Sequence, residues 1–150
     1  MTSVFVENDV REVIKRINLL TPDTKGLWGK MSVAQMLAHC NVTYEMIFTD
    51  KHPKPNFFKR WLLKSFVKDQ VVGPKPYPKN GKTAPAFIIN HEPDFNTEKQ
   101  RLIDYIDRVL KDGEKVFNGR ESLSFGKLNI VEWNTLMYKH LDYHLSQFGV

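Results

Sequence analysis

Hydrophobic positions recur at helical spacing in four separated stretches of the chain. Val10, Val13, Ile14, Ile17 and Leu20 make the first stripe, behind Asn8 or Asp9 as a candidate cap. Glu12 and Arg16, four apart, are spaced to pair on its outer face. Pro22 and the stretch from Gly26 to Gly29 end this helix. Ser32 and Gln35 then spell a reciprocal capping box ahead of Val33, Met36, Leu37, Cys40, Tyr44 and Ile47. Thr97 and Gln100 repeat the box before Leu102, Ile103, Ile106, Val109 and Leu110, and Gly113 stops that helix. Asn129 with Glu132 opens a last helix that reaches Gln147. Four amphipathic helices predict an all-α fold, a four-helix up-down bundle occupying residues 1–150 as a single domain.

Between the second and third of these helices the pattern changes. Seven of the eight prolines fall between Pro53 and Pro93, so the connection from Asp50 to Asn96 reads as one long crossover. Within it, Phe57 to Lys68 has a helical stripe of Phe58, Trp61, Leu62, Ser65 and Phe66, which predicts a short extra helix. Gly73 to Pro85 reads as an extended loop.

Composition bounds the class. A chain of 150 residues with 41% hydrophobic and 26% charged residues has globular usage and can bury a substantial core. No apolar run reaches the roughly 18–20 residues of a membrane span. Met1 to Arg11 lacks the pattern of a signal peptide. A lone cysteine, Cys40, fits a reducing compartment, so a cytoplasmic domain is the simplest expectation. The net charge of +5 is uneven, because Lys51 to Lys82 holds nine basic residues and one acid, Asp69. No nucleic-acid reading motif accompanies them, so no nucleic acid is expected. The aromatic residues of the 57–68 helix, ringed by Lys59, Arg60, Lys64 and Lys68, suit an anionic membrane surface or an acidic partner. The plainer reading, and the preferred one, packs them on the bundle.

The histidines carry the candidate chemistry. His140 and His144, four apart, lie roughly 40° from each other on a helix. They share a face with Trp133, Met137 and Phe148, while Lys139, Asp142 and Ser146 fall opposite. Two imidazoles turned inward require partners for their nitrogens. A divalent ion supplies one solution, at about 2.0–2.1 Å from each nitrogen; bonds to Tyr, Gln or backbone groups supply another. A third ligand belongs on a facing element, and His39, on the second helix, is held more rigidly than His52 or His91, which read as surface-loop residues.

Three segments together resemble the DinB/YfiT-like family of metalloenzymes: Trp28 to His39 (WGKMSVAQMLAH), Phe125 to Leu128 (FGKL), and Glu132 to Val150 with its two histidines. The likeness is nearest to a subgroup of unassigned function and spans nearly the whole chain, most weakly between Phe57 and Pro93. It implies a four-helix bundle in which His39, His140 and His144 bind one metal ion at a pocket mouth. Characterised relatives include transferases that use low-molecular-weight thiols, and maleylpyruvate isomerase. Position 143, often histidine in related sequences, is Tyr143 here, and Ser122-Leu123 stands where relatives often have His-Pro.

The implied chemistry is a small-molecule reaction, metal-dependent transfer or hydrolysis, with a low-molecular-weight thiol as a candidate co-substrate. Zinc is the default ion; nickel, iron and manganese also suit three nitrogens. His140 to His144 lacks the glutamate of a zinc protease helix, so proteolysis is not expected. Gln147 and Tyr44 are the weak candidates for a catalytic role, and Cys40 reads as a core residue. Metal affinity is expected to weaken as pH falls through about 6, the range where imidazole protonates. The rival class is a non-catalytic helical module with buried histidines that docks through its basic aromatic helix. The sequence leaves a homodimer open.

Overall fold

Buried residues of the four long helices meet in one hydrophobic cluster, and that shared core organises the molecule. The computed structural model describes residues 2–150. In chain order the elements are α1 (Glu7–Leu19), α2 (Val33–Phe48), α3 (Phe57–Phe66), α4 (Lys68–Val72), a 3-10 turn (Pro85–Phe87), α5 (Phe95–Asp112), α6 (Glu114–Phe117), β1 (Glu121–Ser122), β2 (Gly126–Lys127) and α7 (Ile130–Gln147). The all-α class expected from the periodicity holds. The strands are confined to a minimal hairpin in which Glu121 pairs with Lys127 and Ser122 with Gly126. Strands of two residues carry no alternation that a sequence pattern can display.

Helix α2 is the central element. It is buried on nearly every side from Val33 to Glu45 and packs against α5 and α7. Its buried polar residues are partnered, Asn41 by Glu98 and Glu45 by Arg101, both on α5. Two capping boxes form, Ser32 with Gln35 at the start of α2 and Asn129 with Glu132 at the start of α7, and the one expected at Thr97 with Gln100 does not. Each cap satisfies backbone donors that the first turn leaves free, worth about 1 kcal/mol.

Two other starts differ from expectation. α5 begins at Phe95 because Asp94, not Thr97, accepts from the backbone of the first turn, through the Thr97 amide. A carboxylate there also meets the positive end of the helix. Gln100 turns instead to Asp104. α1 begins at Glu7 after Val6, with no side-chain cap; Asp9 accepts from the Ser3 amide, one turn further back. Arg16 also leaves Glu12 and reaches Asp142 of α7 at 2.7 Å.

The crossover holds α3, α4 and the 3-10 turn, more structure than the single short helix expected. Its aromatic residues do not pack on the body. No residue of α3 is buried, and Leu63 supplies its apolar contact with the core. No helix among the described residues is long and apolar enough to cross a membrane.

Candidate metal centre

His39 and Thr43 lie one turn apart on α2, and His140 and His144 lie one turn apart on α7. Because α2 and α7 pack together, these two faces meet. The three imidazoles converge as the sequence expected: one ring nitrogen from each lies within 4.8 Å of the others. Ring centroids are 5.0 Å apart for His39 and His140, 4.5 Å for His39 and His144, and 4.8 Å for His140 and His144. His39 and His144 are buried; His140 is half-buried. These residues could hold one metal ion.

The other nitrogen of each ring is engaged by a protein oxygen. His39 Nδ1 donates to the Phe87 carbonyl at 2.9 Å. His140 Nδ1 is 3.2 Å from the Thr43 hydroxyl. His144 Nδ1 is 2.8 Å from Gln147 Oε1. Gln147 Nε2 in turn donates to the Trp28 carbonyl at 2.9 Å, which leaves its oxygen facing His144. His144 Nδ1 is therefore the donor, and its Nε2 keeps a lone pair. His39 is fixed the same way by a carbonyl that only accepts. His39 Nε2 and His140 Nε2 face each other at 3.0 Å.

Burial lowers the basicity of the whole group. It holds His39 below the ordinary imidazole range, partly offset by the Phe87 carbonyl. It holds His140 well below, and the repulsion that protonated His144 and His39 would exert adds to the effect. His144 falls to about 4, chiefly through burial and then through His39, against the bond from Gln147. Neutral rings with free lone pairs are the form a metal ion binds.

Aromatic rings enclose the cluster on the crossover side. Phe87 meets His140 edge-on at 5.7 Å between centroids, and Tyr77 does so at 6.3 Å. Lys139, expected on the far side of α7, turns to this segment instead. Its ammonium donates to the carbonyls of Gln70 at 2.8 Å, Gly73 at 2.7 Å and Lys75 at 3.0 Å, and so pins the loop over the histidines. The Tyr143 hydroxyl donates to the Pro78 carbonyl and accepts from Trp28 Nε1, both at 3.3 Å.

The two weak catalytic candidates take other places. Gln147 has both ends of its amide committed, and it positions His144. Tyr44 is stacked on Tyr105 at 5.6 Å in the core, with its hydroxyl buried and unpartnered among the described residues. Thr43, not Tyr44, faces the histidines; its four-residue spacing from His39 is the signal that marks it. Cys40 is buried beside Met36, and burial pushes its thiol above the ordinary range. His52 is no free surface residue: its Nε2 lies 2.8 Å from the buried carboxylate of Glu45. The ring of His91 plays no part in the cluster, and its carbonyl accepts from Gln35. Phe87 contributes a backbone carbonyl from a loop, for which no sequence signal exists.

A family model described as "Protein of unknown function (DUF1569)" matches residues 6–149. No curated protein and no solved structure matches the chain.

Proposed function

The chain belongs to the DUF1569 family, and from the geometry of its histidine cluster we propose a metal-dependent enzyme of small-molecule chemistry, with one divalent ion held by His39, His140 and His144. The observation that carries this reading is the shared arrangement of the three rings. Each has Nδ1 engaged by an oxygen, so the Nε2 atoms are left to converge. Metal-ligating histidines almost always donate their second N–H in this way, which fixes tautomer and orientation. Zinc is the default ion for such a donor set.

When bound, a divalent ion with three neutral protein ligands supplies Lewis acidity toward an oxygen or a sulfur at its open position. The protein's own residues do the rest. Phe87, Thr43 and Gln147 hold the rings in register. Tyr77 and Phe87 limit water at the mouth. No carboxylate joins the cluster among the described residues, so the ligand shell carries no general base. That favours a nucleophile that ionises easily. A thiol, with a free pKa of about 8.5, needs a far smaller shift than water at about 15.7. The resemblance to DinB/YfiT-like proteins points the same way, and thiol-dependent transfer is the reaction we assign.

Cobalt substitution tests the reading. Protein purified without a histidine tag and loaded with cobalt(II) is expected to gain a sulfur-to-metal charge-transfer band when a low-molecular-weight thiol is added. A spectrum indifferent to thiols, with the ion retained, overturns the transferase reading and leaves a structural ion. Absence of metal uptake overturns both.

A further inference from the structure

Helix α3 carries its aromatic residues outward. Phe57 is 89% exposed, Phe58 66%, Trp61 52% and Phe66 75%. Their rings gather on one another: Phe58 stacks on Trp61 at 6.2 Å, and Trp61 meets Phe66 edge-on at 6.4 Å. At about 100° per residue, Phe57, Trp61, Ser65, Phe58, Leu62 and Phe66 fill an arc of about 180°. Lys64 borders that arc on one side and Lys59 on the other. Leu63 turns onto the core and Arg60 onto Glu121 at 2.7 Å, while the exposed Lys64 runs past Gly126 of the hairpin. A contiguous aromatic patch of this kind on a protein surface marks a binding face.

Charge identifies what the face meets. Lys59 and Lys64 are exposed and enter no ion pair among the described residues, unlike Arg60 and Lys68. α3 contains no acid, and the segment from Lys51 to Lys82 has only Asp69 against nine basic residues. A second copy of the same face would bring like charges together. A convex half-cylinder of rings bordered by lysines matches the headgroup boundary of a bilayer, where rings enter the acyl edge and ammonium groups reach lipid phosphates. We propose that α3 docks the protein reversibly on an anionic phospholipid surface.

The face is built from α3 alone, while the histidines come from α2 and α7, so docking is independent of metal. The test is flotation of the full chain with vesicles of phosphatidylcholine, with or without equimolar phosphatidylglycerol. Binding is expected to the anionic vesicles only, to weaken with salt, and to shift the emission of Trp61 to shorter wavelength. Lys59→Glu with Lys64→Glu is expected to lower the partition at least tenfold, since one lysine at such a surface is worth about fivefold. Phe57→Ser with Phe58→Ser is expected to abolish binding while the circular dichroism is unchanged, because both side chains are already in solvent. No binding to anionic vesicles at low salt overturns the proposal, as does binding by both variants that equals that of the unaltered protein. Self-association that these variants abolish, without vesicle binding, also overturns it and assigns the face to a second copy.

Discussion

His39 Nε2 and His140 Nε2 stand 3.0 Å apart, although 101 residues separate them in the chain. The Phe87 carbonyl obliges His39 to keep its proton on Nδ1, so its Nε2 presents a lone pair to His140. Two lone pairs at that distance repel unless a proton or a cation lies between them. Without an ion, His140 must donate from Nε2 and the Thr43 hydroxyl must donate to its Nδ1. With an ion, the Thr43 hydroxyl turns and accepts instead, and the His39 and His140 rings can keep their separation. Two nitrogens on one ion at about 2.0–2.1 Å lie about 2.8–3.4 Å apart for bond angles of about 90–109°. The observed separation already falls in that range.

Thr43 is therefore expected to matter more than its size suggests. Thr43→Val keeps the shape and removes the oxygen that accepts from His140. Affinity for zinc, measured by competition with a chromophoric chelator, should fall about 10–100-fold. Thr43→Ser should retain most of it. Equal affinities for all three proteins would make the Thr43 contact incidental.

Gly29 supports His144 from a distance. Its φ is +83°, and a Cβ built there would lie 2.5 Å from Gln147 Nε2. Gly29→Ala is thus expected to cost about 1–2 kcal/mol for the left-handed backbone. It should also displace the amide that orients His144 and so weaken zinc binding. Gln147→Leu should weaken zinc binding without the backbone cost. Urea unfolding and chelator competition on the two variants separate these effects.

Proton linkage has a definite sign. His144 has a pKa of about 4 in the folded protein, against about 6.5 in an unfolded chain, and the shifts of His39 and His140 run the same way. The unfolded state then takes up protons first as pH falls. Stability of the metal-free protein should be full above about pH 6.5 and decline steadily toward pH 4. Glu45 enters only lower. Burial alone would raise its pKa, but Arg101, His52 and Lys51 together outweigh that and hold it at about 2, so its contribution is lost below about 4.5. Urea midpoints between pH 6.5 and 4.5 therefore isolate the histidines. A flat stability across that window contradicts their burial as neutral rings. For the same reason zinc binding should persist to lower pH than the value near 6 that the sequence suggested.

The carboxylate of Glu45, 3% exposed, meets Arg101 at 2.6 Å, His52 at 2.8 Å and Lys51 at 3.0 Å. Truncating it leaves the guanidinium of Arg101 with Glu98 alone. Glu45→Ala should destabilise the fold by about 1–3 kcal/mol, because the cations it leaves are partly exposed and Arg101 keeps Glu98. Thermal unfolding checks this, and a loss under 1 kcal/mol would contradict it.

What could be read from the sequence follows from what is local. The capping boxes at Ser32 and Asn129 involve residues three apart, and the stripes of α2 and α7 repeat every turn, so both helices and the inward direction of His140 and His144 were legible. Features that depend on which segments meet were not. Asp94 and Thr97 both suit a helix start, and only the docking of Phe95 and Glu98 against the body separates them. The stripe of α3 looks the same whether it faces a core or a bilayer. The carbonyl of Phe87 and the three that hold Lys139 belong to the backbone, which a sequence leaves anonymous.

X-ray absorption at the zinc edge, on protein loaded with one equivalent of zinc, bears most directly on the metal centre. The predicted spectrum contains three imidazole nitrogens at about 2.0–2.1 Å with their outer-ring scattering, and His140→Ala removes one of the three. A shell made of oxygen or sulfur, or one that His140→Ala leaves unaltered, would contradict the account.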